Sequence, residues 1–130
     1  MINKVAFTMY PVTDVARARR FYEETLGLTV GVAGSQGGMH WIEYDLPGGG
    51  CLALTNVGEA EPSASGGTVA LEVEDLDELV EALHRQDVAF LGDVVRGPMC
   101  RMVTCLDSEG NSLLLHQSDR VGEDLPGRTD

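Results

Sequence analysis

Three imidazoles, two strand carboxylates and three thiols carry most of the reactive chemistry available to this 130-residue chain. His40, His84 and His116 are the side chains whose charge changes nearest neutral pH. His84 sits beside Arg85 in a helical stretch, where an exposed ring is expected. His40 and Glu43 stand three apart in a strand-like stretch, so the pleat sends them to opposite faces and they cannot share an ion from that strand. His116 lies two residues after Leu114 and shares its face, where it either bonds a ligand or is satisfied near the strand end. Glu43 or Glu72, if buried, would have a raised pKa suited to a general acid or base; the alternative for Glu43 is a solvated or ion-paired strand residue. Cys51, Cys100 and Cys105 form no C-x-x-C pair and leave an odd thiol, which fits small core residues in a reducing compartment. No Ser-His-Asp set, phosphate loop or paired-carboxylate motif identifies a nucleophile. Trp41, Tyr10 and Tyr44 are near enough in sequence to offer a stacking face to a planar or cationic group.

The elements that must position these residues occur twice, at an offset of 61 residues without a gap. Asp14 falls on Asp75, Leu46–Gly50 on Asp107–Asn111, and Leu52–Leu54 on Leu113–Leu115. Self-similarity at a fixed period marks a duplicated architecture. In each half a β-branched or aromatic run, 5–10 or 68–73, reads as a strand. A helix follows. The first carries the stripe Val15, Ala18, Tyr22 and Leu26 after a cap at Thr13 or Asp14 and stops at Gly27; the second carries Leu76, Leu79, Val80 and Leu83 after Asp75, with Glu78 at capping-box spacing. Three shorter strands complete each half, around 28–32, 39–45 and 51–55, then 89–95, 101–106 and 112–117. The expected fold class is therefore α+β, two tandem βαβββ modules forming cupped mixed sheets around a cleft. Residues 1–130 make one domain: module one about 1–56, a polar linker 57–67, module two about 68–117 and a polar tail 118–130. Alternation places Met9, Cys51, Thr55, Ala70, Glu72, Ser112 and His116 on the inward faces, while strand 39–45 presents either Trp41, Glu43 and Asp45 or His40, Ile42 and Tyr44.

Acidic residues number 21 against 9 basic, a formal charge of −12. Phosphate-backbone binding needs basic clusters, so nucleic acid is not an expected partner. Arg17, Arg19 and Arg20 have the spacing of a solvated helix face. The N-terminus lacks a long apolar run, so no membrane association is expected and the expected location is cytoplasmic.

The run Asp14–Leu28, with Phe21, Tyr22, Leu26 and Gly27, resembles the first helix signature of the vicinal oxygen chelate superfamily, the glyoxalase, bleomycin-resistance and extradiol-dioxygenase group. Residues Val69–Asp77 are similar to the opening of its second module, and Asp107-Ser108-Glu109-Gly110-Asn111 to its D-P-x-G-N turn, with Ser108 in place of proline. The resemblance covers nearly the whole chain to about Gln117. It implies the fold more than the reaction, because the superfamily hosts lyases, dioxygenases, epimerases, transferases and binding proteins. In metal-dependent members a divalent ion is held by His, Gln or Glu from the first and fourth strands of each module. The family's spacing implies Phe7, Ala53, Thr68 and Leu114 at those positions. None is an imidazole or carboxylate, so no metal and no cofactor is expected.

Two function classes follow from the resemblance. One is a metal-free binding protein holding a small hydrophobic, neutral or cationic molecule, with Phe7, Met9, Trp41, Ala53, Thr68, Leu114 and His116 as ligand-binding residues. The other is an enzyme, lyase-, isomerase- or dioxygenase-like, using Glu43 or His116 as acid or base or a metal site not recognised in the sequence. Family members commonly pair, so a homodimer is expected.

Overall fold

The computed structural model describes residues 1–119. The chain divides into two compact units, one comprising Met1–Gly67 with Asp107–Ser112, the other Thr68–Leu106 with the described residues from Leu113 onward.

In the first unit, Asp14 caps helix α1 (Val15–Arg20), its carboxylate accepting from the Arg17 amide at 3.0 Å. The helix runs into a π turn, Phe21–Thr25, closed by a bond from the Leu26 amide to the Phe21 carbonyl, and Gly27 leaves it at φ 77°. Phe21 and Tyr22, three and four residues after Ala18, turn inward with it and are buried. They cover a mixed sheet of order β1-β4-β3-β2. Its strands are β1 (Thr8–Pro11), β2 (Val30–Gln36), β3 (Met39–Asp45) and β4 (Cys51–Thr55); β1 pairs parallel with β4 and the other pairs are antiparallel. Ile42, Tyr44, Leu52 and Leu54 point under the helix and are fully buried. Each contributes about 1.5–3 kcal/mol of hydrophobic stabilisation. Tyr44 stacks on Tyr22 with ring centres 5.9 Å apart and donates its hydroxyl to Glu23.

The second unit repeats the plan. Asp75 caps α2 (Leu76–Arg85), which buries Leu76 and Leu83 against a sheet of order β5-β8-β7-β6. The strands are β5 (Val69–Glu72), β6 (Val95–Arg96), β7 (Cys100–Leu106) and β8 (Ser112–Ser118), and β5 pairs parallel with β8.

Backbone bonds reproduce the 61-residue offset. The Leu46 amide bonds to the Gly50 carbonyl as the Asp107 amide does to Asn111, and Val12 bonds to Thr55 as Val73 does to His116. The expected α+β class with two four-stranded mixed sheets is therefore observed among the described residues, although several element limits differ. The stretch 5–7 stays outside β1, and β2 begins at Val30 with a bulge at Gly31. A Cβ at Gly31 would lie 2.6 Å from Asp45 Oδ2, so a larger residue at the bulge would displace the Asp45 carboxylate. Expected strand 89–95 reduces to two residues, Val95–Arg96, and a single bridge from Phe90 to Cys105. Ser118 closes β8 rather than opening a tail, and the rest of the tail from 120 lies outside the described residues.

Candidate functional site

Each sheet has one face under its helix and one face bearing the sequence-predicted site residues. In the first unit the register aligns Met9, Ala53, Glu43 and Val32 in one row across β1, β4, β3 and β2. Trp41 stands in the next row opposite Gly34 and Thr55. Of the two alternatives for β3, Trp41, Glu43 and Asp45 therefore lie on the open face, because Ile42 and Tyr44 occupy the core. Phe7 meets Trp41 edge-on, with ring centres 5.2 Å apart. Phe7, Met9 and Val32 keep 44%, 47% and 53% of their surface exposed, which leaves an apolar surface uncovered around Glu43. The Trp41 indole donates its Nε1–H to Glu43 Oε2 at 2.6 Å, and Cys51 Sγ lies 3.9 Å from the other oxygen. Burial, with Glu43 and Asp45 nearby, pushes the Cys51 thiol up, so the sulfur stays protonated and is no nucleophile. A groove of about 410 Å³ runs beside Trp41 along the β2–β3 hairpin, reaching Met39, His40 and Val57.

Three expectations change here. Tyr10 and Tyr44 are buried on the helix face, donating to the Ser112 carbonyl and to Glu23, so neither joins Trp41 as a stacking surface. Thr55 is buried, donating to the His40 carbonyl and accepting from the Val57 amide, which makes it a lock on the strand end. Arg17 and Arg19 do not merely face solvent. They pair with Glu109 at 2.6 Å and with Glu23 at 2.7 Å.

In the second unit the register aligns Ala70 with Leu114 and Glu72 with His116 on the face away from Leu113 and Leu115. Thr68 precedes β5 and is exposed. Glu72 is exposed, contrary to the expectation of a buried, raised-pKa carboxyl. Partial desolvation raises its pKa, but bonds from the Ser118 amide and from His116 outweigh it and hold the carboxyl below its ordinary value. The His116 Nδ1 to Glu72 Oε1 distance is 2.7 Å, and the Ser118 amide reaches the other oxygen at 2.8 Å. The sequence placed both residues on one face but did not signal their contact. A pocket of about 390 Å³ on the helix side, between α2 and residues 90–94, was not foreseen; Val80, Val94 and Val103 line it, with the His84 ring tilted against Phe90, ring centres 4.4 Å apart.

Positions Phe7 and Ala53 in the first unit, and Thr68 and Leu114 in the second, offer one hydroxyl and no imidazole, carboxylate or thiolate. Zinc, iron and manganese sites take several nitrogen, oxygen or sulfur donors, so this set does not fit such an ion. Among the described residues no group of three or more His, Cys, Asp and Glu side chains could hold a metal.

The class is defined by two βαβ-type units in tandem, each with a four-stranded mixed sheet under one helix. The chain belongs to the glyoxalase/bleomycin resistance protein/dioxygenase superfamily, whose family model matches residues 4–115. Among solved structures it is similar to TnmS3, an antibiotic binding protein from Streptomyces sp. CB03234, at 26% identity and TM-score 0.76, covering 90% of this chain and 97% of that one. It shares the fold of a glyoxylase/bleomycin resistance protein/dioxygenase domain from Frankia sp. EAN1pec at 23% identity and TM-score 0.73, covering 95% and 96% of the two chains. It likewise shares the fold of the fosfomycin resistance protein FosX from Listeria monocytogenes at 14% identity and TM-score 0.76, covering 91% and 95%. Among curated proteins none matches the sequence.

Proposed function

We propose that this protein is a metal-free binding protein for a small hydrophobic molecule, neutral or cationic, and that it works as a single glyoxalase-like domain in a cytoplasmic homodimer. The observation that carries the reading is the open face of the first unit, where Phe7, Met9, Trp41 and Val32 surround the Glu43 carboxylate. Small-molecule sites are mostly apolar with a few placed polar groups. Glu43 accepts hydrogen bonds and attracts positive charge, while Trp41 and Phe7 supply aromatic surface. The net charge of −12 favours encounter with cations and disfavours polyanions. The similarity to an antibiotic binding protein from Streptomyces supports a sequestering role toward a drug-like compound. The second unit carries the equivalent ligand-binding positions on its own open face, Leu114 and His116 on β8 and Thr68 just before β5.

A thermal-shift screen tests the proposal. Hydrophobic neutral or cationic compounds raise Tm, whereas stabilisation only by phosphorylated or polycarboxylate compounds contradicts it. The Glu72–His116 contact favours a second reading, an enzyme that uses His116 as acid or base without a metal.

A further inference from the structure

We propose that His116 is a proton-accepting residue for a ligand that carries an acidic hydroxyl, a phenol or an enol, and that Glu72 holds it ready for that role. The inference rests on the small-molecule reading and adds the chemical class of the ligand. The Glu72 carboxyl, held below its usual pKa, is ionised near neutrality and has no hydrogen to give. The hydrogen in its 2.7 Å contact with His116 therefore lies on Nδ1, so that in the neutral ring Nε2 carries the lone pair and is the acceptor. The Ser118 amide, bonded to the second Glu72 oxygen, fixes the carboxylate and through it the ring. Among the described residues no hydrogen-bond partner of Nε2 is present, and 28% of the His116 side chain is exposed. Leu114 and Ala70 flank it on the same face.

A lone pair needs a donor. The Glu72 carboxylate stands 2.7 Å from Nδ1, beside the imidazolium that forms when Nε2 takes a proton. When a hydroxyl docks on Nε2, the O–H bond breaks, its electron pair stays on oxygen, and the proton forms the Nε2–H bond. The result is an oxyanion against an imidazolium–carboxylate pair. A carboxylic acid would arrive already ionised, with no proton to offer and repelled by Glu72 and the acidic chain. An ether has none to give. The other charged groups near this strand end are engaged elsewhere. Arg101 on β7 pairs with Asp77 on the helix side and also reaches Gln117, while Arg96 pairs with Asp119.

The test compares 7-hydroxycoumarin with 7-methoxycoumarin, of similar shape but without the acidic hydrogen. The full chain binds the hydroxyl compound about tenfold more tightly, the scale of a hydrogen bond to a charged group, and shifts its excitation toward the phenolate at a pH where the free compound is neutral. His116→Asn and Glu72→Gln each remove that preference. Imidazole ¹⁵N spectra of the unmutated protein show Nε2 becoming protonated on adding the hydroxyl compound only, which frees the test from any folding defect of the variants. Equal binding of the two coumarins, or an Nε2 signal that does not respond, overturns the inference and leaves the small-molecule reading standing. A protein that binds neither coumarin also overturns the inference, and the thermal-shift screen decides the small-molecule reading separately.

Discussion

Glu109 is the side chain on which the turn at 107–111 is held. Its carboxylate accepts from the Thr13 amide and hydroxyl, the Asp14 amide and the Arg17 guanidinium, at 2.6–3.1 Å, and its side chain is fully covered. Burial alone would raise its pKa, but the Arg17 bond and the two amides outweigh this and bring it down to about 2. A depressed pKa means that the folded state favours the ionised form, so the stabilisation is complete above the ordinary carboxylate range and is lost as pH falls toward 2. Glu109→Gln should cost about 1–3 kcal/mol near neutrality. Melting curves between pH 6 and about 2 check this: the wild type loses its advantage over the variant as pH falls, and a constant difference contradicts the assignment. Next to it, Tyr22 donates to Asp107 Oδ2 at 2.6 Å, while Asp107 Oδ1 takes the Glu109 and Asn111 amides. Ser108, standing where the family turn has proline, leaves all of these bonds intact.

At the scale of elements, α2 ends with Asp87 at φ 58°, a left-handed position that glycine adopts without the Cβ clash. Asp87→Gly should therefore raise stability by about 1 kcal/mol, read as an increase in the urea midpoint at unchanged m-value; a lower midpoint refutes it. How far such elements were legible depended on periodicity. Strands β3 and β4 matched expectation, being short apolar or alternating runs between clear turns. The caps at Asp14 and Asp75 were legible too, since a short acidic side chain before an apolar stripe satisfies free helix amides. The π turn was not, because Ala18, Phe21 and Tyr22 at i, i+3 and i+4 fit an ordinary helical stripe and carry no sign of the i+5 bond from Leu26 to Phe21. Strand 89–95 misled because an apolar run reads as a strand even where Gly92, at φ 124°, breaks the ladder. The open face of β3 could not be chosen from sequence, since Trp41, Glu43, Asp45 and His40, Ile42, Tyr44 are both mixed sets. Tyr44 packing on Tyr22 and bonding Glu23 decides it. The Glu72–His116 contact follows from the β5–β8 register, which joins residues 44 apart in the chain.

At the scale of the whole molecule, β1 and β2 are edges of one sheet and β5 and β6 edges of the other. Open sheet edges among the described residues invite cover by a second copy. Light scattering at high micromolar concentration should give the mass of a dimer, and a monomer counts against that part of the proposal. The central claim is ligand binding at the open face, and Trp41, the chain's single tryptophan, reports on it directly. The decisive measurement is a titration of Trp41 fluorescence with hydrophobic neutral and cationic compounds, set beside the same titration with nucleotides and polycarboxylates. Binding at this face gives a saturable change with the first group alone, weakened several-fold by Phe7→Ala through loss of about 0.5–1.5 kcal/mol of aromatic contact. A saturable response confined to the anionic group, or one that Phe7→Ala leaves untouched, would contradict it.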